Sequence, residues 1–541
     1  SAQGIVRTEP IPQDAHHRFS FVGIAEFVLI CVLVVTVGYL YVDRLSLQKK
    51  LVEPEIAEQE TSAIPSPDQY RAIAVLPFAD MSEAGDQAWF AEGIAEERLL
   101  ALPQVKPLSV MARTSSFAFK GTDKTVAEIA DILGVQAVLE GSVRRSKDRV
   151  RVTAQLVDAH SGFHIWSGSY ERQITDIFQL QDELAKSVVE ALRIELHVDP
   201  TAPLVAEQTR IPEAYNWFIR GRAAFDWANP QGILHSISYF EKAVEADPGY
   251  AMAWGYISFA RNIMLVFRSF DEAGPPTITA MEHALALDPK QSEALAVKAL
   301  MTQLRDHDWE TAGRLYQQAI ASSENPWAVG SYAIFYLQFI DQQRQAIELF
   351  ATAEKLDPLH AGIKANLAGI MYFAGDNHGA IRKAREALQL DPKHLLAIEH
   401  LIRAYTNIND TAALASLLES IPPAMLELAE IKALIARNDA VRGDEARARE
   451  IYNGLVASFD SLTPLAMFDT AILAISLDEI EESVELMERL EKSGSWMQFW
   501  STLLPMDNST IRENTRYQAM LKRIGLDDES VAALNERMSF N

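Results

Sequence analysis

Four similar stretches, "KAVEADP", "HALALDP", "TAEKLDP" and "EALQLDP", each end on Asp-Pro, with prolines at 248, 289, 358 and 392. Pro326, in "IASSENP", falls in the wide gap among them, and the successive spacings become 41, 37, 32 and 34 residues. Proline cannot continue a helix, so each one marks a turn. A recurrence near 34 residues is the length of two antiparallel helices with their connections. One such pair cannot bury its own apolar face. From about residue 212 the chain therefore has to stack pair upon pair.

The interior of each unit agrees with that reading. Ala346, Phe350 and Ala353 place a small residue, an aromatic and a second small residue ahead of Pro358. Ser236, Phe240 and Ala243 repeat the pattern ahead of Pro248. Ala380 and Ala387 keep the small positions ahead of Pro392, with Ala384 in place of the aromatic, and the same frame puts Leu367 and Ala368 on the first helix of that unit. This is the spacing of the tetratricopeptide (TPR) repeat, in five clear copies and two or three degenerate ones beyond residue 400, where "ARAREIYNGLV" still keeps the small-aromatic step. An all-α TPR superhelix is expected over 212–500. Helices at 501–541, including "NTRYQAMLKRIGL", are expected to cap it.

The opposite end of the chain has another character. Residues 21–42, "FVGIAEFVLICVLVVTVGYLYV", are the one apolar run of membrane length. As a helix they would measure about 33 Å, enough for a tilted crossing. The polar "DRLSLQKK" follows in place of a small-residue cleavage site, so an uncleaved anchor is expected. Glu26, within the first two turns, either snorkels to the headgroups or pairs with another subunit in the membrane. Residues 1–20 form a short tail. Residues 43–69, rich in proline and acids, read as a linker. Arg7 and Arg18 on one side and Arg44, Lys49 and Lys50 on the other leave the flanking charge nearly balanced.

Between anchor and repeats, 70–200 mixes strands and helices. "RAIAVLPF" is a buried-strand run, and "LSVMART" a second short strand. "DQAWFAEGIAEERLLALPQ", "TVAEIADILG" and "IFQLQDELAKSVVEALRIEL" have helical periodicity, the second ending at Gly134. "QAVLEGSVRR", "RVRVTAQLVD" and "FHIWSGSYER" alternate apolar and polar residues and are joined by hairpin-length links. An α/β unit with an antiparallel region follows from this. Its segments "IAVLPFADMS", "WFAEGIAEE", "ARTSSFAFKG", "ILGVQAVLEGSVRR", "VRVTAQLVDAHSGFHIWSGSYER" and "DIFQLQDELA" resemble, in order, the TolB-like domain of bacterial membrane-anchored regulators and TPR proteins. The resemblance implies a non-enzymatic interaction domain outside the cytoplasm, related to the periplasmic part of CadC-like regulators. Members of that family often carry a winged-helix DNA-binding domain before the span; with some 20 residues preceding the apolar run here, direct promoter binding is not expected. The resemblance also places the amino end in the cytoplasm and the bulk of the chain in the periplasm, at a bacterial inner membrane.

Chemistry is harder to find. No phosphate loop, H-E-x-x-H helix, G-x-S-x-G elbow or paired C-x-x-C is present. The "SLQK" pair at 46–49 lacks its supporting motifs. His160 and His164 are too few for a closed zinc site, and "RDHDWE" at 305–310 reads as a solvated turn between repeat helices. Glu83, Asp86, Glu92, Glu96 and Glu97 follow the first strand, where acids early in a helix suit its positive end. No catalytic residue, cofactor or metal is expected, and the chain reads as non-enzymatic. A formal charge of -25 argues against nucleic-acid binding. The single cysteine, Cys31, excludes an intramolecular disulfide. A protein partner, such as an integral membrane complex, is expected in a groove lined by the first helices of the repeats. Trp254, Ser331, Phe335 and Tyr372 are the candidate contacts, because aromatics supply much interface energy. Scaffolding of that partner is the leading function, and sensing of a ligand with signalling through the membrane helix is the alternative.

Overall fold

The structure, a computed structural model, describes the chain from Arg71 to Met538, apart from residues 102–107, most of 174–210, 493–508 and several shorter stretches. The expected anchor at 21–42 with Glu26, the tail before it, and the linker at 43–69 lie outside the described residues. So does most of the helix expected from "IFQLQDELAKSVVEALRIEL". Among the described residues no helix is long and apolar enough to cross a membrane.

The α/β unit contains β1 (Arg71–Val75), β2 (Ala79–Asp80), α1 (Ala88–Ala101), β3 (Leu108–Val110), α2 (Arg113–Phe117), α3 (Val126–Leu133), β4 (Ala137–Ser146), β5 (Arg149–Asp158) and β6 (His164–Gln173). The strand order is β3-β1-β4-β5-β6, with β2 pairing the far end of β4. β1 runs parallel to both β3 and β4, whereas β4, β5 and β6 form an antiparallel meander. Period-two alternation along β1 divides the unit into two layers. Ile73 and Val75 join Leu139, Val152 and Leu156 in a core closed by Phe90 and Ile94 of α1. Ala74 joins Met111 and Val138 in a second core closed by Ile129, Ala130 and Leu133 of α3. A capping box between Thr125 and Glu128 starts α3, and Gly134, at φ +67, ends it. "LSVMART" departs from expectation, since its strand stops at Val110 and Arg113 already belongs to a helix.

The repeat region follows as antiparallel pairs: α4 (Pro212–Ala224) with α5 (Pro230–Ala246), α6 (Ala251–Met264) with α7 (Phe270–Leu287), and α8 (Ser292–Met301) with α9 (Trp309–Ser322). Next come α10 (Pro326–Leu337) with α11 (Gln343–Leu356), α12 (Ala361–Phe373) with α13 (Asn377–Leu390), and α14 (Leu395–Asn407) with α15 (Thr411–Ser420). After the short α16 (Pro423–Leu426) stand α17 (Ala429–Val441) with α18 (Glu445–Ala457) and α19 (Pro464–Ser476) with α20 (Ile480–Lys492). The helices α21 (Ser509–Glu513), α22 (Thr515–Arg523) and α23 (Asp528–Met538) complete the chain. The small-aromatic-small positions are buried where the TPR frame puts them: Ser236, Phe240 and Ala243, then Ala346, Phe350 and Ala353, then Ala380, Ala384 and Ala387. The TPR reading thus holds, together with the small α/β region before it. The degenerate copy keeps its packing too, with Ala448, Tyr452 and Leu455 buried.

The terminal helices reach back along the stack. Trp309 of α9 donates its indole Nε1–H to the carbonyl of Ile524, 2.7 Å away. Met520, Ile524 and Leu526 are buried in the same apolar cluster as Trp309.

Candidate interaction surface and the charges buried in the repeats

The aromatic residues expected to line a groove are used mostly for packing. Phe335 of α10 is fully buried, its ring 5.7 Å from Tyr316, 5.9 Å from Tyr332 and 6.0 Å from Trp309. It is therefore not a groove contact, because the crossing of successive pairs takes the whole ring. Trp254 of α6 is half-buried, stacked 4.6 Å from His283, and its Nε1–H donates to the carbonyl of Pro248 at 3.1 Å. Tyr372 of α12 is half-buried, edge-on to Phe373 at 5.1 Å, and Ser331 of α10 is half-buried one turn before Phe335. Trp254, Ser331 and Tyr372 keep part of their surface. With Phe335 they are spread over three helices, α6, α10 and α12.

A site the sequence reading missed lies one repeat beyond Tyr372. Helix α14, "LLAIEHLIRAYTN", buries Glu399, His400 and Arg403, each at most 2 % exposed. The Arg403 guanidinium donates from Nη2 to Oδ1 of Asp469 on α19 at 2.5 Å. Its Nη1 lies 3.4 Å from Glu399 Oε2 and 3.3 Å from His400 Nδ1. The imidazole packs into the space left by a missing side chain on α12, where a Cβ on Gly369 would lie 2.5 Å from His400 Nε2. Among the described residues, Glu399 Oε1, His400 Nε2, Arg403 Nε and Asp469 Oδ2 find no hydrogen-bond partner.

Burial controls the electrostatics of this cluster. It pushes the Glu399 carboxyl well above the usual carboxylate range, against the pull of Arg403 and with further upward pressure from Asp469 and Glu430. Burial also raises Asp469, with Arg403 opposing. His400 is driven well below the usual imidazole range by burial and by the neighbouring guanidinium, so it is neutral at pH 7. Nδ1 then accepts from the guanidinium. The charges tie α14 to α19 past the intervening α17, and so brace the degenerate repeats internally.

A second polar site joins the α/β unit to the array. Asp357 follows α11, and its Oδ1 accepts from the Ser115 backbone N–H at 3.0 Å and from the Ser115 hydroxyl at 2.5 Å. Ala112 N–H donates to the Leu356 carbonyl at 2.8 Å, and Leu359 N–H donates to Ser115 Oγ at 2.8 Å. Elsewhere in the unit, Glu92 is an ion-pair partner, 2.5 Å from Lys120 Nζ and 3.5 Å from Arg113 Nη2.

The histidine candidates resolve into turn chemistry. Asp158 accepts from Ser161 N–H and Oγ–H at 2.7 Å each, which shapes the turn containing His160. Asp308 accepts from Thr311 N–H at 3.0 Å and caps α9, while His307 takes a left-handed backbone at φ 51. Among the described residues no group of three or more His, Cys, Asp or Glu could hold a metal ion.

Comparison with known proteins bears on the rest. No protein-family model matches the chain. Over 205 residues it is 38% identical to "Putative adenylate cyclase 3" of Rhizobium meliloti, covering 38% of this chain and 34% of that protein. The chain thus spans about a third of the length of the curated relative it matches. The expectation that the chain is non-enzymatic is overturned by this match to a protein named as a putative adenylate cyclase. Among solved structures, a tetratricopeptide repeat protein from Parabacteroides merdae is 15% identical at a TM-score of 0.33, with 46% of this chain and 99% of that one covered. Yeast Tom70 gives 11% identity and a TM-score of 0.33, with 68% and 94% covered. A monomeric mutant of IFIT1 with Gppp-AAAA gives 14% identity and a TM-score of 0.41, with 64% and 77% covered.

Proposed function

We propose that this chain is a membrane-held scaffold whose stacked repeats and α/β unit bind a protein partner within a cyclase-type signalling assembly. The observation that carries the reading is the series of helix pairs from α4 to α20, since stacks of this kind present long surfaces for protein recognition. The match to a protein named for adenylate cyclase activity supports the signalling setting. The apolar run at 21–42 supports membrane attachment. The resemblance of 70–200 to TolB-like domains supports an inner membrane with the repeats in the periplasm. The charge of -25 favours a protein partner, with basic surface, over nucleic acid.

The test is capture of the tagged chain from mild-detergent extracts of its native membrane, with mass spectrometry of what co-purifies. A membrane protein recovered in constant ratio is expected. A chain recovered alone at every detergent and salt concentration overturns the scaffold. The cyclase match also favours a second reading, in which the extramembrane part senses a ligand and signals through 21–42. Under that reading, deleting the chain changes cellular cyclic AMP although no partner is retained.

A further inference from the structure

Among the described residues the α/β unit meets the repeat array at α4, in the first helix pair, and at the turn after α11, which ends the fourth, and the two contacts differ in chemistry. At the first, α1 lies so close to α4 that a Cβ on Gly93 would stand 2.3 Å from the Ile219 side chain. Ile219 is buried, and Phe90 and Ile94 of α1 fill the core beneath. Parting this contact would expose Ile219 to water, and at its edge Arg145 of β4 stands with Glu213, Asn216 and Arg220 of α4. At the second, on the opposite layer of the sheet, α2 meets the turn after α11. Leu359 packs there against the core that holds Ala74 and Val138. The remainder of that contact is polar: the two bonds to Asp357, the bond from Ala112 to Leu356, and the bond from Leu359 to Ser115. Asp357 and Ser115 are both buried, and on opening each bond would be exchanged for one to water, so that only the difference between the two is lost.

Asp357 is also set apart from its equivalents. In the other Asp-Pro turns the aspartate serves its own loop: Asp247 accepts from Gly249 N–H at 2.9 Å, Asp288 from Lys290 N–H at 2.9 Å, and Asp391 from Lys393 N–H at 3.0 Å, with Asp247 also accepting from the Thr209 hydroxyl at 2.5 Å. Asp357 instead reaches a residue 242 positions earlier in the chain. There it caps α2, whose own N-cap residue, Ala112, offers no side-chain acceptor.

From this we propose that the Asp357–Ser115 contact is a releasable latch and the Gly93–Ile219 contact a permanent hinge. Together they close the arc from α4 to α11 onto the α/β unit. Closed, the latch hides α2 and the 356–360 turn against each other. Open, it uncovers both and frees the arc to change curvature while α1 stays seated on α4. This holds whatever partner the repeats bind.

Hydrogen–deuterium exchange on the full chain, comparing Asp357→Ala with Asp391→Ala, tests the proposal. Loss of the latch carboxylate is expected to speed exchange about tenfold at 113–117 and 356–360. Residues 88–95 and 214–219 are expected to keep wild-type protection, and Asp391→Ala is expected to leave 113–117 unchanged. Unaltered exchange at 113–117 in Asp357→Ala overturns the latch. Equal loosening at 88–95 and 214–219 overturns the division into latch and hinge. If Asp357→Ala does not fold, Ser115→Ala, which removes only the hydroxyl, decides on the same peptides: faster exchange confined to 113–117 and 356–360 supports the latch, and wild-type exchange there overturns it.

Discussion

Helices α10 and α14 occupy equivalent places, each the first of its pair, and both face inward with little contact to water. They are filled in opposite ways. α10 buries Tyr332, Phe335 and Tyr336, with the Tyr332 and Tyr336 hydroxyls 2.9 Å apart. α14 buries Glu399, His400 and Arg403 and links them to Asp469. Aromatic packing is tolerant, because each ring meets several neighbours and any neutral hydroxyl can be dropped. A buried charge cluster depends on every member being present. The TPR frame thus specifies where helices cross, while the inward positions between crossings accept either solution.

The sharpest way to break this comparison is Arg403→Ala. It strands Glu399 and Asp469 without their cation in a dry interior, and loss of one partner of a buried ion pair costs roughly 3–5 kcal/mol. A fall of the urea midpoint corresponding to that loss is expected. A loss below about 1 kcal/mol would mean the cluster is hydrated and cheap, as surface pairs are. The second effect is steric. Gly369→Ala brings a methyl to 2.5 Å from His400 Nε2, and overpacking of this sort costs about 1–3 kcal/mol. The combination with His400→Ala should recover most of that loss if the imidazole is what the methyl meets.

How much of this was readable beforehand follows the same divide. The crossing positions were legible because small residues and prolines recur at the period of stacked helix pairs. Ala346, Phe350 and Ala353 are buried as the pattern requires. The strands of the α/β unit were legible from alternation, and β5 spans the full "RVRVTAQLVD". Phe335 was misassigned because an inward aromatic looks the same in sequence whether a neighbour or a ligand covers it. Glu399, His400 and Arg403 were missed although three polar residues in five, set among Leu and Ile, signal something other than a solvated face. Asp357 carried no signal at all. Its motif is the same as that of Asp247, Asp288 and Asp391, and only the fold brings Ser115 to it.

Proton linkage sharpens the contrast further. The Glu399 carboxyl is raised in the folded chain, so folding favours its protonated form. The stability it contributes is full below its unfolded value near 4.5 and declines as pH rises toward the folded one. The groups facing it are Arg403, Asp469 and Glu430, with neutral His400 beside them. Glu399→Gln keeps an acceptor for Arg403 and removes the titration. Its stability should therefore vary less between pH 5 and 8 than that of the wild type, in urea titrations at each pH. An unchanged slope would assign the pH dependence to Asp469 or Glu430, both of which are also raised by burial.

The smallest effect belongs to the aromatic helix. Burial raises the Tyr332 and Tyr336 hydroxyls, so both stay neutral, and they bond to each other. Tyr336→Phe removes one hydroxyl and keeps the ring. Tyr332 retains Gln317 as a partner, so no donor is orphaned, and the expected cost is about 0.5–1.5 kcal/mol with an unchanged denaturant slope. A loss as large as that of Arg403→Ala would show that the two hydroxyls form a brace equivalent to the ion cluster, and the distinction between the two helices would then collapse. A small loss means the inward faces differ in how far each can be edited. A partner that must deform the array would then do so through the aromatic repeats before the charged ones.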